Sequence, residues 1–172
     1  MFQDEGRFGR ISEVRRCWAP PGVRPEVGAQ IVRQYTHVFA AVSPADGVMD
    51  SLILPYADTE AMLLFLNEVA ARHADEFVLM YMDQAGWHKS AAKRVPSNMR
   101  LEWLPPYSPQ LNPSEHIWDE VREKWFVNLV FDQMRGVEKT LIVALRTLES
   151  DHERVQKLTG FDWIISSLLN AT

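Results

Sequence analysis

The chain has 172 residues, 47% of them hydrophobic, which is enough for one domain with a full core, and no segment reaches the length of a membrane span. Its formal net charge of -5 excludes a protein that is basic throughout, so any contact with nucleic acid needs a local basic patch or a partner domain. Cys17 is the one cysteine, which excludes an internal disulfide and points to a reducing compartment, and the charged opening Met1-Phe-Gln-Asp-Glu-Gly-Arg7 carries no apolar run of signal length.

In chain order, residues 1–18 are expected to form a hairpin, with Gln3 to Arg10 leading through glycines into Ile11 to Trp18. A central strand normally begins further from a terminus than Asp4 does, so the polypeptide is expected to start inside an element, downstream of a missing segment. Ala19-Pro-Pro-Gly-Val-Arg-Pro25 is a loop by composition. Tyr35 to Ser43 reads as a strand, Pro44-Ala-Asp-Gly47 as a turn, and Val48 to Leu54 as a further strand ended by Pro55. Asp58 caps an amphipathic helix in which Met62, Phe65, Leu66, Val69 and Ala70 recur at helical spacing up to about His73. Phe77 to Met82 is a short continuous apolar run, expected to be a strand buried on both faces. It ends at Asp83, and in open α/β sheets functional groups gather beyond the carboxyl ends of such strands. Lys89 to Val95 is read as helical, Pro96-Ser-Asn98 breaks it, and a strand follows at Leu101.

Leu101 to Trp118 organises the rest: a short strand, a proline-stiffened turn and the start of a helix. Pro105, Pro106 and Pro109 fix φ and hold the residues before them extended. Asn112 suits an N-cap, Pro113 the first helical position, and Glu115 falls at N3. The arrangement presents one carboxylate rigidly at the mouth of a helix; it is equally a capping box, in which Glu115 only satisfies backbone donors. Ile117, Trp118, Val121 and Trp125 form an apolar stripe that Glu115 flanks. Asp132 opens a later helix with Val137, Leu141, Ala144, Leu145 and Leu148 on one face, which runs on or restarts toward Leu158 and stops at Gly160; Phe161 to Leu169 is an apolar tail that docks on the body. Strands first, then strand–helix alternation, then helices imply an α/β domain whose mixed sheet is covered on both faces.

Three carboxylates stand out by context: Asp4 on the first strand, Asp83 at the end of the buried strand, and Glu115 at the helix start. Singly, each is as readily a turn or cap residue. Together they suit Mg²⁺, which prefers a few carboxylates plus water and phosphate oxygens. Asp119, one turn beyond Glu115, is the reserve ligand. His88, Lys89, Lys93 and Arg94 cluster past Asp83, and Arg7, Arg10, Arg15 and Arg16 lie on the first segment; these are candidate phosphate contacts or, equally, a solvated face. His88 is read either as a phosphate contact, as a residue orienting Asp83, or as a hydrogen-bonded histidine at a helix start. Trp87, Trp103, Trp118 and Trp125 are assigned to the core rather than to base stacking.

Leu104-Pro-Pro-Tyr-Ser-Pro-Gln-Leu-Asn-Pro-Ser-Glu-His-Ile-Trp118 resembles the signature of the DDE transposases of mariner-related bacterial insertion sequences. Asp83-Gln-Ala-Gly-Trp-His88 resembles that family's Asp-Asn-Ala-x-x-His motif, Asp4-Glu5 its first-strand pair, and Trp18-Ala-Pro-Pro-Gly22 lies in a segment like its Trp-x-Pro-x-Gly, so the likeness runs from Gln3 to about Lys124. Gln84 stands where the family has Asn, and only 31 residues separate Asp83 from Glu115, which points to a trimmed loop. The resemblance implies a ribonuclease H-like fold, a five-stranded mixed sheet flanked by helices. It also implies that residues 1–172 are one catalytic domain without the N-terminal helix-turn-helix DNA-binding region. It makes Asp4, Asp83 and Glu115 the catalytic, metal-holding acids, with Asp4 bridging two Mg²⁺ or Mn²⁺ ions, and it makes transposon ends and target DNA the substrates. Dimeric assembly, insertion at TA dinucleotides and a cytoplasmic, nucleoid-associated location belong to the same expectation. Two other readings stay open: a ribonuclease H-like nuclease, and an inactive or repurposed transposase fragment serving as an interaction module.

Overall fold

β1 (Phe2–Ile11), β2 (Ile31–Val42), β3 (Met49–Leu54), β4 (Val78–Met82) and β5 (Met99–Trp103) form one mixed sheet in the order β3-β2-β1-β4-β5. The computed structural model describes residues 1–169, without the side chains of Lys93, Leu168 and Leu169. β1, β2 and β3 pair antiparallel as a meander, while β4 runs parallel to β1 and β5 parallel to β4. The helices are α1 (Thr59–Arg72), α2 (Gly86–Ala91), α3 (Glu115–Val121), α4 (Met134–Glu149), α5 (His152–Thr159) and α6 (Asp162–Leu169). Among the described residues no helix is long and apolar enough to cross a membrane.

The sheet is buried on both sides because its centre is apolar at successive positions. In β2, Val38, Ala40 and Val42 face one way and Phe39 and Ala41 the other, and all five are fully buried. One face packs against Ile117, Trp118 and Val121 of α3 and the Val137, Leu141, Ala144, Leu145 and Leu148 stripe of α4, with Val155 and Ile164 closing that side. The other packs against Met62, Phe65, Leu66 and Val69 of α1. Asp58 caps α1 as expected, accepting from the Ala61 N–H at 2.9 Å, and Asp151, which the sequence reading did not single out, caps α5 by accepting from the Arg154 N–H at 3.1 Å. At Gly47, where φ is 74° and an added Cβ would meet the His152 carbonyl, only glycine fits.

Four expectations need correction. Asp132 does not cap the later helix: α4 begins at Met134 with Gln133 at its N-cap and no side-chain cap bond. Residues 1–18 are not a hairpin: β1 is one strand of ten residues and its partner β2 returns only after the 12–30 loop. The glycines there serve close approach rather than turning. A Cβ on Gly6 would collide with the Trp118 ring, and one on Gly9 with the Gln34 carbonyl beside a bulge in the β1–β2 ladder. The doubly buried strand is β2, not the apolar run before Asp83; β4 buries Val78, Met80 and Met82, but Leu79 is 38% exposed and Phe77 lies outside the strand. Trp118 is core at 1% exposure, whereas Trp87 and Trp103 are 38% and 37% exposed, because they sit at the start of a short helix and at the end of an edge strand.

Candidate active site

The three acids reach one cleft by three different routes. β1 carries Asp4 to the sheet centre. Phe2 pairs in parallel with Tyr81, and continuing that register sets Asp83, just past β4, level with Asp4. Glu115 opens α3, and the segment before it is pinned to β1: Asn112 Nδ2 donates to the Gln3 carbonyl at 3.0 Å and Ser114 Oγ to the Phe2 carbonyl at 2.8 Å. Asn112 also accepts from the Ser114 N–H at 3.2 Å, so it caps the turn as expected, yet no donor among the described residues reaches the Glu115 carboxylate. The capping-box reading of Glu115 therefore fails, and its side chain is free to face the cleft. Asp4, Asp83 and Glu115 all line a cleft of about 460 Å³ with Lys89 and the Leu104–Pro109 turn. Gln84 closes one wall by donating to the Leu104 carbonyl at 3.0 Å, which gives the residue that replaces the usual Asn a definite structural task.

The cleft is rich in negative charge. Burial, then the neighbouring Glu115 and Glu5 carboxylates, push Asp4 up to about 7, against the indole N–H of Trp118, which donates to Asp4 Oδ2 at 2.9 Å. Burial also raises Glu115, with Asp119 and Asp83 adding to the shift and Arg122 opposing it. Asp83 goes the other way: the His88 hydrogen bond, with help from the Ala85 N–H at 2.9 Å, holds it below the usual carboxylate range.

His88 is the buried hinge of the site. It is 1% exposed, its Nδ1 lies 2.7 Å from Asp83 Oδ1, and its Nε2 lies 2.7 Å from Glu5 Oε1. Burial disfavours its charge, but Asp83 and Glu5 outweigh that and hold the ring protonated well above the ordinary histidine range. Glu5 also accepts from Gln3 Nε2 at 3.1 Å, while Gln3 Oε1 is buried without a partner among the described residues. Of the readings open to His88, the geometry matches the residue that orients Asp83: both ring nitrogens are spent on carboxylates, and the ring is shut away from the cleft. Glu5 was named only as the neighbour of Asp4, and its alternation to the opposite side of β1 was the signal that it serves another group.

The remaining basic candidates are scattered. Lys89 lines the cleft. Arg94 pairs with Glu60 at 2.7 Å, and Arg10 is committed to the Phe131 carbonyl and Gln34. Arg16 is exposed in the 12–30 loop and the side chain of Lys93 lies outside the described residues. Arg15 is paired with Glu13 and Glu123, and Arg7 lies over the Tyr35 ring. No ready basic patch forms at the site from these side chains.

A ready ion cradle does not form either: among the described residues, no three His, Cys, Asp or Glu side chains stand close enough together to hold a metal ion. The expected cage of Asp4, Asp83 and Glu115 is thus one cleft wall rather than a closed set. The donor chemistry nonetheless fits Mg²⁺ or Mn²⁺, since the cleft offers hard carboxylate oxygens and the raised Asp4 and Glu115 mark charge that a cation would neutralise.

Comparison with known proteins agrees with this geometry. The Mos1 mariner paired-end complex with Mn has a chain that superposes with a TM-score of 0.61 at 18% identity, covering 96% of this chain and 54% of the Mos1 chain. A Mos1 transposase paired-end complex with the left transposon end gives 0.59 at 18% identity, over 92% and 55%. These establish the shared ribonuclease H-like fold, and the chain spans about half the length of the Mos1 chains. The uncharacterized protein y4pE/y4sA of Sinorhizobium fredii is 42% identical over 131 residues, 75% of this chain and 96% of that protein. Residues 1–136, the span holding all three cleft acids, match the profile of the DDE superfamily endonucleases, and the chain belongs to that family.

Proposed function

We propose that the chain is the catalytic domain of a DNA transposase that cuts phosphodiesters at transposon ends and joins the freed 3′ hydroxyls to target DNA, with Mg²⁺ or Mn²⁺ bound at Asp4, Asp83 and Glu115. The observation that carries this reading is the convergence on one cleft of three acids from three separate segments, in a chain of the DDE superfamily endonucleases. Two divalent ions bound there would activate the attacking water or 3′ hydroxyl and stabilise the leaving oxygen.

The chain's own residues do the positioning. His88 orients Asp83 through Nδ1 and is itself fixed through Nε2 by Glu5. Trp118 holds one oxygen of Asp4, and the Asn112 and Ser114 bonds to β1 hold the start of α3, so Glu115 approaches from a fixed direction. Lys89, on the cleft wall, meets a non-bridging phosphate oxygen. DNA is the substrate and a second DNA-binding region the partner; dimeric assembly and a cytoplasmic site of action belong to the same proposal.

The test is Mg²⁺-dependent cleavage and joining of DNA ends by the chain and by Asp83→Asn. Cutting without joining would favour a nuclease of the same fold. The interaction-module reading has one observation in its favour, that the acids form no closed ion set. Absence of Mn²⁺ binding by the wild-type chain would decide for it.

A further inference from the structure

We propose that Tyr107 is a stacking platform for a DNA base next to the scissile phosphate, an inference that rests on reading the cleft as a DNA-cutting site. Two non-glycine residues have positive φ among the described residues, Asn128 at 57° and Tyr107 at 55°. Asn tolerates that region; a bulky aromatic residue adopts it only under strain imposed by its surroundings. The surroundings here are stiff. Pro105 and Pro106 precede Tyr107, Ser108 Oγ bonds back to the Pro106 carbonyl at 3.2 Å, and Pro109 starts a 3₁₀ turn that ends at Asn112, itself anchored on β1. The backbone thereby fixes where the ring projects.

The ring contributes nothing to the core that would explain the strain. Tyr107 is 101% exposed and is one of the residues lining the same cleft as Asp4, Asp83 and Glu115. A residue chosen only to make this turn would be Gly or Asn. A fully exposed aromatic on the wall of a carboxylate-rich cleft is suited to a ligand that is flat and uncharged at the point of contact. A nucleobase is that ligand: stacking is indifferent to sequence and needs no positive charge, which this cleft has little of. A ring held on a rigid turn also loses little freedom on binding.

The experiment separates ring from backbone. The wild-type chain, Tyr107→Phe, Tyr107→Leu and Tyr107→Gly are titrated with a short DNA single strand carrying a fluorescent adenine analogue, with Ca²⁺ in place of Mg²⁺, and melting is followed in parallel. Wild type and Tyr107→Phe should bind and quench the analogue. Tyr107→Leu and Tyr107→Gly should lose the quenching and bind roughly tenfold more weakly, while Tyr107→Gly, relieved of strain, melts no lower than wild type. Wild-type affinity and quenching in Tyr107→Gly or Tyr107→Leu, or no binding by the wild type, overturns the inference. Metal-dependent cleavage by the wild-type chain, measured separately, tells whether the underlying reading of the cleft falls with it: cleavage together with unaltered binding by Tyr107→Gly removes the platform and leaves the nuclease.

Discussion

The two ends of β4 handle carboxylates in opposite ways. At its start, buried Asp50 meets Arg72 Nη1 at 3.1 Å and His73 Nε2 at 2.8 Å, and His73 Nδ1 meets Glu76 at 2.7 Å, so each charge there has a partner within the fold. At its other end, Asp4, Asp83 and Glu115 share a cleft in which one buried histidine serves Asp83 and Glu5, while Asp4 has an indole N–H as its side-chain donor. In the first cluster each carboxylate has a cationic partner, Glu68 included through Arg72, and the pairs tie the end of α1 to β3. The second holds more negative charge than the protein neutralises, an arrangement that costs stability and persists where the site takes up something from outside. Charge left uncompensated, rather than the presence of acids, distinguishes the candidate active site.

That contrast can be broken or sharpened by experiment. The largest effect is expected from Asp83→Asn, which should lower Mg²⁺-dependent DNA cleavage by roughly 10²-fold or more while circular dichroism and melting stay close to wild type. Asp50→Ala should do the reverse: by stranding Arg72 and His73 it should destabilise the fold by about 2 kcal/mol in urea unfolding and leave cleavage per folded molecule unchanged. Asp4→Asn comes next. The folded pKa of Asp4, about 7, lies above its ordinary 3.8, so its ionisation removes stability as pH rises from about 4 to 7. The variant should therefore be more stable than wild type at pH 8 and no more stable at pH 3, read from urea unfolding. Mn²⁺ should raise the wild-type melting temperature at pH 8 by the same relief of charge, and should not raise that of Asp83→Asn.

The smallest effect belongs to His73. Hydrogen bonds to Glu76 and Asp50 outweigh its desolvation and raise its pKa. Its contribution is then full below the ordinary value of 6.5 and fades as pH rises through the raised folded value. His73→Gln should cost roughly 0.5 kcal/mol at pH 5 and progressively less toward pH 9. A cost that grew with pH would mean that His73 acts as a neutral spacer and that the carboxylates at the start of β4 are not charge-paired as described.

Much of this was legible from local patterns. The α1 and α4 stripes, the Asp58 cap and the Asn112–Glu115 helix start are set by neighbours within one or two turns, and those are the interactions that spacing records. The errors came where a residue answers to something distant. Gly6 and Gly9 looked like turn formers because the Trp118 ring and the Gln34 carbonyl they accommodate lie far along the chain. The contact of His88 with Asp83 was among its readings, but its second partner was missed, because nothing nearby in sequence announces Glu5 across the sheet. Tyr107 looked like one more residue of a proline turn because a positive φ leaves no mark on an aromatic letter.

The chain's own order of residues determined its sheet-and-helix class, its three separated acids and the motif that carries its family likeness, since each depends on patterns of residue type that need no folding to be read. Tertiary structure alone decided that these acids line a single cleft without closing into a cage, that Glu5 braces His88 against Asp83, and that burial lifts Asp4 to about 7. Distance and desolvation set those outcomes, and both exist only once strands remote in sequence lie side by side.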